Sequence, residues 1–416
     1  MDVLISGASI AGPVTAYWLR RSGFRVTVVE RAPALRKTGG HAVDLFAPAM
    51  EIVERMGLID QVEARSTGTE RMVVLREGAR RPTTIDLHKL MAGFSRRHVE
   101  IMRDDLSEIL HDATRDDVEY VFGDHVTAIG DDGEVRFANG RPRRFDLVIG
   151  ADGLHSGVRG LVFGPESAHT RWIGGYIAVA SIPNYLDLRN EMRGFAGVDR
   201  LGGLYSAQHM TDARAMFLFR TPTELSYDRH DGAAQRRLLR AQFGDLGWEI
   251  PRLLDETDRA SAFYFDSITQ LRLEHWTRGR VALVGDAGYC PGPAVGGSTS
   301  LAVVGAYTLA GELAAAGGDP ARAYPAYEAA LGDYVRSSRA FAATMAKRIV
   351  PTSRAMTWAM TTGVQLFTAL PTTLARRIGA AGATGLHESV AVRDYPELVG
   401  TIRLAIVAAN ARLLRT

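Results

Sequence analysis

Apolar positions open the chain in a short unbroken run, Val3-Leu4-Ile5, which predicts a buried strand. Residues 11–21 then carry apolar side chains at helical spacing, and residues 25–29 form a second, β-branched run closed by Glu30. Between the first run and the helix lies Gly7-Ala-Ser-Ile-Ala-Gly12. The order strand, glycine turn, helix, strand, acid is the start of a βαβ unit. Gly7 permits the tight turn, and Gly12 lets the helix approach the sheet. A helix beginning at Ala11 offers free N–H groups and the positive end of its dipole, which suit a pyrophosphate. Glu30 stands near the position, roughly 20 residues on, where an acid holds a ribose hydroxyl. Ser9 replaces the middle glycine of that fingerprint, and its hydroxyl can donate to a phosphate oxygen.

The same reading continues along the chain. Residues 48–56 are helical, with Gly57 as the stop. Residues 72–75 and 84–87 predict a hairpin. Arg103-Asp104-Asp105-Leu106 opens a helix with acids in its first turn, where the dipole favours them. Short strands follow at 119–122, 126–129 and 135–137, and a buried strand at 145–150. Between 171 and 266 the style changes to clustered β-branched and aromatic residues separated by Gly, Asn and Asp, which predicts a mostly antiparallel sheet interrupted by a helix at 233–243. Residues 281–284 return to the buried-strand style. A long helix at 301–316 follows, with Ser298, Thr299 and Ser300 as N-cap candidates. Everything beyond Pro320 reads as helical. Residues 355–375 carry no charge and could span a bilayer by length. Their six threonines, Gln365, Gly363 and Pro371 make a helix buried against the protein, or lining a cleft, the better expectation.

These style changes predict an α/β protein with a discontinuous nucleotide-binding domain (1–70, 95–165 and 275–340). Into it is inserted a β-sheet substrate domain (71–94 and 166–274), and a helical segment (341–416) follows. A length of 416 residues accommodates two domains. Hydrophobic residues at 46% and charged residues at 23% belong to a soluble globular class. A net charge of +2 with interspersed signs predicts no nucleic-acid partner. One cysteine, Cys290, excludes an internal disulfide and suits a reducing cytoplasm, so a cytoplasmic location is expected. The 11 histidines contain no HxxxH pair, and no metal site is legible. The chain begins almost directly with a strand, which predicts no signal peptide and no membrane partner. A monomer or homodimer is expected.

Two later segments share the construction of the first. Asp146-Leu-Val-Ile-Gly-Ala-Asp152-Gly153 and Arg280-Val-Ala-Leu-Val-Gly285-Asp286-Ala287 each end a buried strand in glycine and acid. In open α/β sheets ligands sit at the carboxyl ends of strands, so three such ends imply one long ligand or two adjacent ones. Pro291 to Gly297 is a loop nearly stripped of side chains, and the helix start behind it suits an anion or a flat electron-rich ring.

GASIAG with Glu30, DLVIGADGLHSGVR and GRVALVGDAG together resemble the three FAD motifs of the class A FAD-dependent aromatic monooxygenases, which share the p-hydroxybenzoate hydroxylase fold. The run from Arg36 to Leu45 resembles the tetracycline-inactivating branch in particular. The resemblance covers about the first 340 residues. It implies FAD as cofactor, NADPH or NADH as electron donor, and O₂ as oxidant through a flavin C4a-hydroperoxide. The substrate would be an electron-rich small molecule, aromatic or polyketide-like. It implies no catalytic side chain beyond the cofactor. Gly7, Ser9, Ala11, Gly12, Glu30 and Arg31 would serve the adenosine and pyrophosphate, with a backbone contact to adenine at Val126. Arg103 would reach the phosphates, and Gly285 and Asp286 the ribityl region. Arg36, Asp44, Gly296, Gly297 and Ser298 would face the flavin. Asp152 and Arg159 would serve both FAD and the nicotinamide donor. Tyr289, Ser298 and Ser300 depart from the family pattern, which leaves the seating of the flavin open.

Alternation alone nominates Tyr205, His209, Phe217 and Phe219 as substrate contacts, although each has an ordinary reading as a core or surface residue. A reductase or halogenase of the same fold is the nearest alternative function, but Trp172-Ile173 does not match the WxWxIP segment of halogenases. A nicotinamide dehydrogenase using only the first motif, and a protein that binds FAD without turnover, are alternatives of different class.

Overall fold

A computed structural model describes residues 1–35, 39–92, 95, 97–293, 297–371, 374 and 390–398. The apolar runs at 3–5, 147–149 and 281–283 form adjacent strands of one sheet. Its order is Thr277–Arg278, Val281–Leu283, Leu147–Gly150, Asp2–Ser6, Arg25–Glu30, Glu119–Phe122. The first pair is antiparallel and the remaining junctions are parallel. A parallel sheet is covered on both faces, which is why these strands are continuously apolar rather than alternating. Parallel register also brings the carboxyl ends of three motif-bearing strands, Ser6, Gly150 and Leu283, to one edge. Helices Ala11–Arg21 and Ser298–Ala315 pack against each other on this layer.

A second sheet has seven strands in the order Phe263–Leu271, Thr170–Pro183, Asp212–Phe219, Arg200–Tyr205, Glu191–Gly197, Arg71–Arg76, Thr83–Asp86. Every pairing is antiparallel except that of Glu191–Gly197 with Arg71–Arg76, which brings the early hairpin into this sheet. One face packs on helices Gly232–Phe243 and Ile250–Arg259, the second of which the sequence reading missed. The other face meets Ala342, Ala346 and Val350 at the end of the long helix Pro320–Arg348. A two-stranded ribbon, Ala42–Phe46 with His98–Met102, borders the first sheet's carboxyl edge.

The uncharged segment after residue 354 packs against the protein, as expected, but along one face only. Helix Arg354–Ala369 buries a threonine stripe, Thr357, Thr361 and Thr368, while Trp358 and Leu366 stand 57% and 64% exposed. The threonines tolerate burial because Thr357 donates to the Ser353 carbonyl at 3.0 Å and Thr361 to that of Thr357 at 2.9 Å. No helix among the described residues is long and apolar enough to cross a membrane. The all-helical reading beyond Pro320 is corrected: residues 390–395 are not helical and dock on the first layer. There Asp394 pairs with Arg55 at 2.9 Å, and the Tyr395 hydroxyl donates to Glu312 at 2.9 Å.

Candidate cofactor site

The glycine turn is as crowded as its sequence demands. Gly7 has φ +110°, and a Cβ there would lie 2.4 Å from the Ala151 carbonyl oxygen. A Cβ on Gly12 would lie 1.9 Å from the carbonyl oxygen of Gly7. Gly285 has φ +65°, and its Cβ would fall 3.1 Å from Ala11 Cβ and 3.3 Å from Ala302 Cβ. The third motif and the starts of the two helices therefore meet at Gly285. Neither helix has a capping side chain or an acid in its first turn. Both starts keep N–H groups available to an anion or a polar ring edge.

Four polar side chains line this edge. Arg103, at the head of helix Arg103–Asp112, donates from Nε and Nη2 to Ser9 Oγ at 3.3 and 3.1 Å. Asp286 is the one residue between Val281 and Cys290 that is not fully buried. Burial pushes its carboxyl above the ordinary range, while the Cys290 thiol and Arg103 pull it back. Glu30 accepts the N–H groups of Ala8 at 3.0 Å and Ala32 at 2.9 Å. Glu30 thereby braces the turn that carries Ser9, a contact its spacing did not reveal. Arg31 is exposed beside it. Val126 is buried on the segment whose Asp124 N–H donates to the Glu30 carbonyl at 3.1 Å.

Other nominated residues have internal duties. Asp152 accepts from Ser156 and from the Val158 N–H at 3.1 Å, so it helps to cap helix Gly157–Phe163. Arg159 is wholly enclosed, where a nicotinamide donor has no access. It donates to the Leu154 carbonyl at 2.6 Å and the Ala287 carbonyl at 3.0 Å, and pairs with Glu166 at 2.8 Å. Its observed work is to tie the second motif to the third. Asp44 pairs with His98 at 2.7 Å. Arg36 and Gly296 lie outside the described residues.

The N-cap of helix Ser298–Ala315 is Gly297, at φ +85°, and none of the three hydroxyls caps it. Ser298 is the partly accessible first residue of that helix. Ser300 is buried, accepting the Phe46 N–H at 2.9 Å and donating to the Asp44 carbonyl at 3.1 Å. It fixes the ribbon to the helix start. Tyr289 is buried too, its hydroxyl 3.1 Å from that of Tyr327, and a Cβ on Gly305 would lie 1.8 Å from it. This departure from the family motif fills space under the long helix.

The substrate nominations need one correction of phase. Phe217 and Phe219 sit on the helix-covered face, with Phe243 ring centroids 5.0 and 6.0 Å away. Side chains alternate along a strand, so the opposite face receives Arg214, Met216 and Leu218. Tyr205 is on that opposite face, its hydroxyl accepting the Ala42 N–H at 2.8 Å. His209 pairs with Asp105 at 2.8 Å at the surface.

A charged network that the sequence reading missed joins the two layers. His155 contacts Glu166 through Nδ1 at 2.9 Å and Asp266 through Nε2 at 3.0 Å. Burial opposes its charge, but hydrogen bonds to Asp266 and Glu166 outweigh that and lift its pKa to about 9. Tyr264 donates to the same Asp266 at 3.2 Å.

Residues 1–348 match the family model described as FAD binding domain. An uncharacterised protein of Mycobacterium tuberculosis is 42% identical over 341 residues, which are 81% of this chain and 91% of that protein. A flavin-dependent monooxygenase from an unknown prokaryotic organism is 42% identical over 344 residues, 82% and 88% of the two chains. The crystal structure of the tetracycline destructase Tet(55) superposes with a TM-score of 0.80 at 34% identity, covering 94% of this chain and 98% of that one.

Proposed function

Because the chain belongs to the FAD-binding family of flavin-dependent monooxygenases, we propose that it draws electrons from NADH or NADPH and transfers one oxygen atom of O₂ to an aromatic or polyketide-like small molecule. The observation that carries this reading is the convergence of Ser9, Arg103, Asp286 and two uncapped helix starts on one sheet edge, with Glu30 bracing the turn. That donor set fits FAD. Glu30 would accept from the adenosine ribose, and Arg103 with Ser9 would hold the pyrophosphate. Asp286 would accept from the ribityl hydroxyls, and the start of helix Ser298–Ala315 would meet the electron-rich side of the ring. Bound FAD supplies the redox chemistry and the activation of oxygen.

We take residues 1–70, 95–165 and 275–340 as the cofactor unit, and 71–94 with 166–274 as the unit that receives substrate. The sheet face near Tyr205 favours a flat apolar guest: Met102, Met192, Met210 and Met216 cluster there with Ala207. Methionines adapt to irregular apolar shapes and make favourable contacts with aromatic rings. The test is NADH and NADPH oxidation by the FAD-loaded protein, screened over phenols and polycyclic ketones. Oxidation accelerated by a subset of these supports the proposal. A basal rate that no compound in the screen changes contradicts it.

A further inference from the structure

The edge strand of the seven-stranded sheet, Phe263–Leu271, carries polar groups that the cofactor reading does not use. Its Gln270 is 1% exposed and held from three sides. The amide nitrogen donates to the Pro291 carbonyl at 3.1 Å and the Arg339 carbonyl at 2.9 Å, and the amide oxygen accepts from Arg272 Nε at 3.2 Å. Arg171, on the neighbouring strand Thr170–Pro183, stands directly opposite Gln270 in antiparallel register. Side chains opposed in this way share a face of the sheet. Ile268, two residues before Gln270 on that face, packs with Ala342, one turn past Arg339 on helix Pro320–Arg348. Arg171, Arg272 and Arg339 are therefore gathered on the face that Gln270 occupies.

Arg339 is the unusual member of this set. Both of its terminal nitrogens reach the same Leu273 carbonyl, at 3.5 and 3.4 Å, which is long for a hydrogen bond. Its buried Nε has no partner among the described residues. Burial and the adjacent Arg272 charge lower its pKa to about 10. Among the described residues none of the three arginines pairs with a carboxylate. The acids on adjoining turns are engaged elsewhere, Glu166 with Arg159, Glu328 with His275 and Asp333 with Arg336, and Glu274 is exposed beside His275. Tying strand to helix is work that Gln270 already does, and it leaves the guanidinium charges side by side and unneutralised. An enclosed charge is costly until a counter-charge completes it. Phosphate oxygens accept forked donors from several arginines at once.

We propose that Arg171, Arg272 and Arg339 form a phosphate-binding site beside the loop that begins at Pro291. FAD has Arg103 and Ser9 for its own phosphates in the reading above, so this site takes a different phosphate. Two sources share that chemistry: the phosphates of the nicotinamide donor, and free phosphate or pyrophosphate. The first source rests on the proposed function, whereas the site itself does not.

The experiment titrates inorganic pyrophosphate into the FAD-loaded protein by calorimetry. FAD affinity and the KM and kcat for NADH and NADPH oxidation are measured alongside. The variants are Arg272→Ala, Arg272→Lys, Arg171→Ala and Arg339→Met, with Arg336→Ala as a control that removes a paired surface arginine from the same helix. The parent should bind pyrophosphate. Arg272→Ala and Arg339→Met should weaken that binding by about tenfold or more, the loss of a charge-assisted hydrogen bond. Arg171→Ala should weaken it less, Arg272→Lys should recover part of the loss, and Arg336→Ala should match the parent. A KM for NADH or NADPH that rises in parallel in Arg272→Ala, with kcat and FAD affinity unchanged, identifies the donor's phosphate as the occupant. An unmoved KM with weakened pyrophosphate binding identifies the free ion. If Arg339→Met does not fold, Arg272→Ala, at an exposed position, decides the matter. No saturable binding by the parent, parent-like binding in Arg272→Ala, or equal weakening in Arg336→Ala overturns the site. Pyrophosphate binding through these arginines in a protein that oxidises neither nucleotide contradicts the proposed function and leaves the site standing.

Discussion

Replacing His155 with Gln should remove a pH-dependent part of the protein's stability. In the folded chain two carboxylates hold the imidazole protonated with a pKa of about 9, whereas an unfolded histidine titrates near 6.5. A pKa raised by folding stabilises fully below the unfolded value, and that contribution is lost as pH rises from about 6.5 through 9. At about 1.4 kcal/mol per unit the full shift of about 2.5 units would be worth roughly 3.5 kcal/mol. The side chain is 36% exposed, however, so water and salt screen the pairs and about 1–2 kcal/mol is the expected effect. For a chain of 416 residues this corresponds to roughly 1–3 °C in Tm. Parent and His155→Gln should be melted side by side at about pH 6, 7.5 and 9.5, across that titration window. The gap between them should be largest at the lowest pH and close as pH rises. A gap that is constant, or that widens with pH, would mean that the imidazole is not charged between Glu166 and Asp266.

Three further outcomes follow from the site. Glu30→Gln should weaken FAD binding by about 1.5–3 kcal/mol in a fluorescence titration, because the turn at Ala8 and the ribose both lose a charged acceptor. Gly305→Ala should destabilise by about 1–3 kcal/mol through collision with Tyr289, and adding Tyr289→Leu should recover most of it; thermal melts of both variants check this. Cys290→Ser should keep the donor to Asp286 and with it FAD and turnover, whereas Cys290→Val should weaken FAD binding. Loss of substrate oxidation in Cys290→Ser with FAD still bound would assign the thiol a chemical role.

What the sequence revealed of this protein follows from where local rules act alone. The turn Gly7 to Gly12, the buried strands and the terminal acids are dictated by backbone sterics and strand-end chemistry, so they were legible, as was the head of the Arg103 helix. The contacts of Phe217, Phe219 and Arg214 depend on which face the covering helices occupy, and helix Ile250–Arg259 was not foreseen. Large aromatics were natural nominees for a ligand, but they went to the side with the most apolar surface to meet. A lone arginine between alanines was the available signal for the other side. Ser300 and Tyr289 could be placed only once their long-range partners, Asp44 and Phe46, and Gly305 and Tyr327, had been brought beside them. In helix Arg354–Ala369 the threonines, rather than Trp358 and Leu366, face the protein because threonine hydroxyls can be satisfied within their own helix.

The central claim, oxygen transfer by bound FAD, is tested most directly by turnover under O₂ labelled with heavy oxygen. The FAD-loaded protein would be supplied with NADH or NADPH and a phenol or polycyclic ketone that stimulates its oxidation, and the product weighed by mass spectrometry. The account predicts one labelled oxygen atom in each product molecule, with none acquired from labelled water. Stimulated NAD(P)H oxidation that yields an unlabelled, reduced or halogenated product, with every oxygen atom of O₂ recovered as peroxide or water, would contradict it.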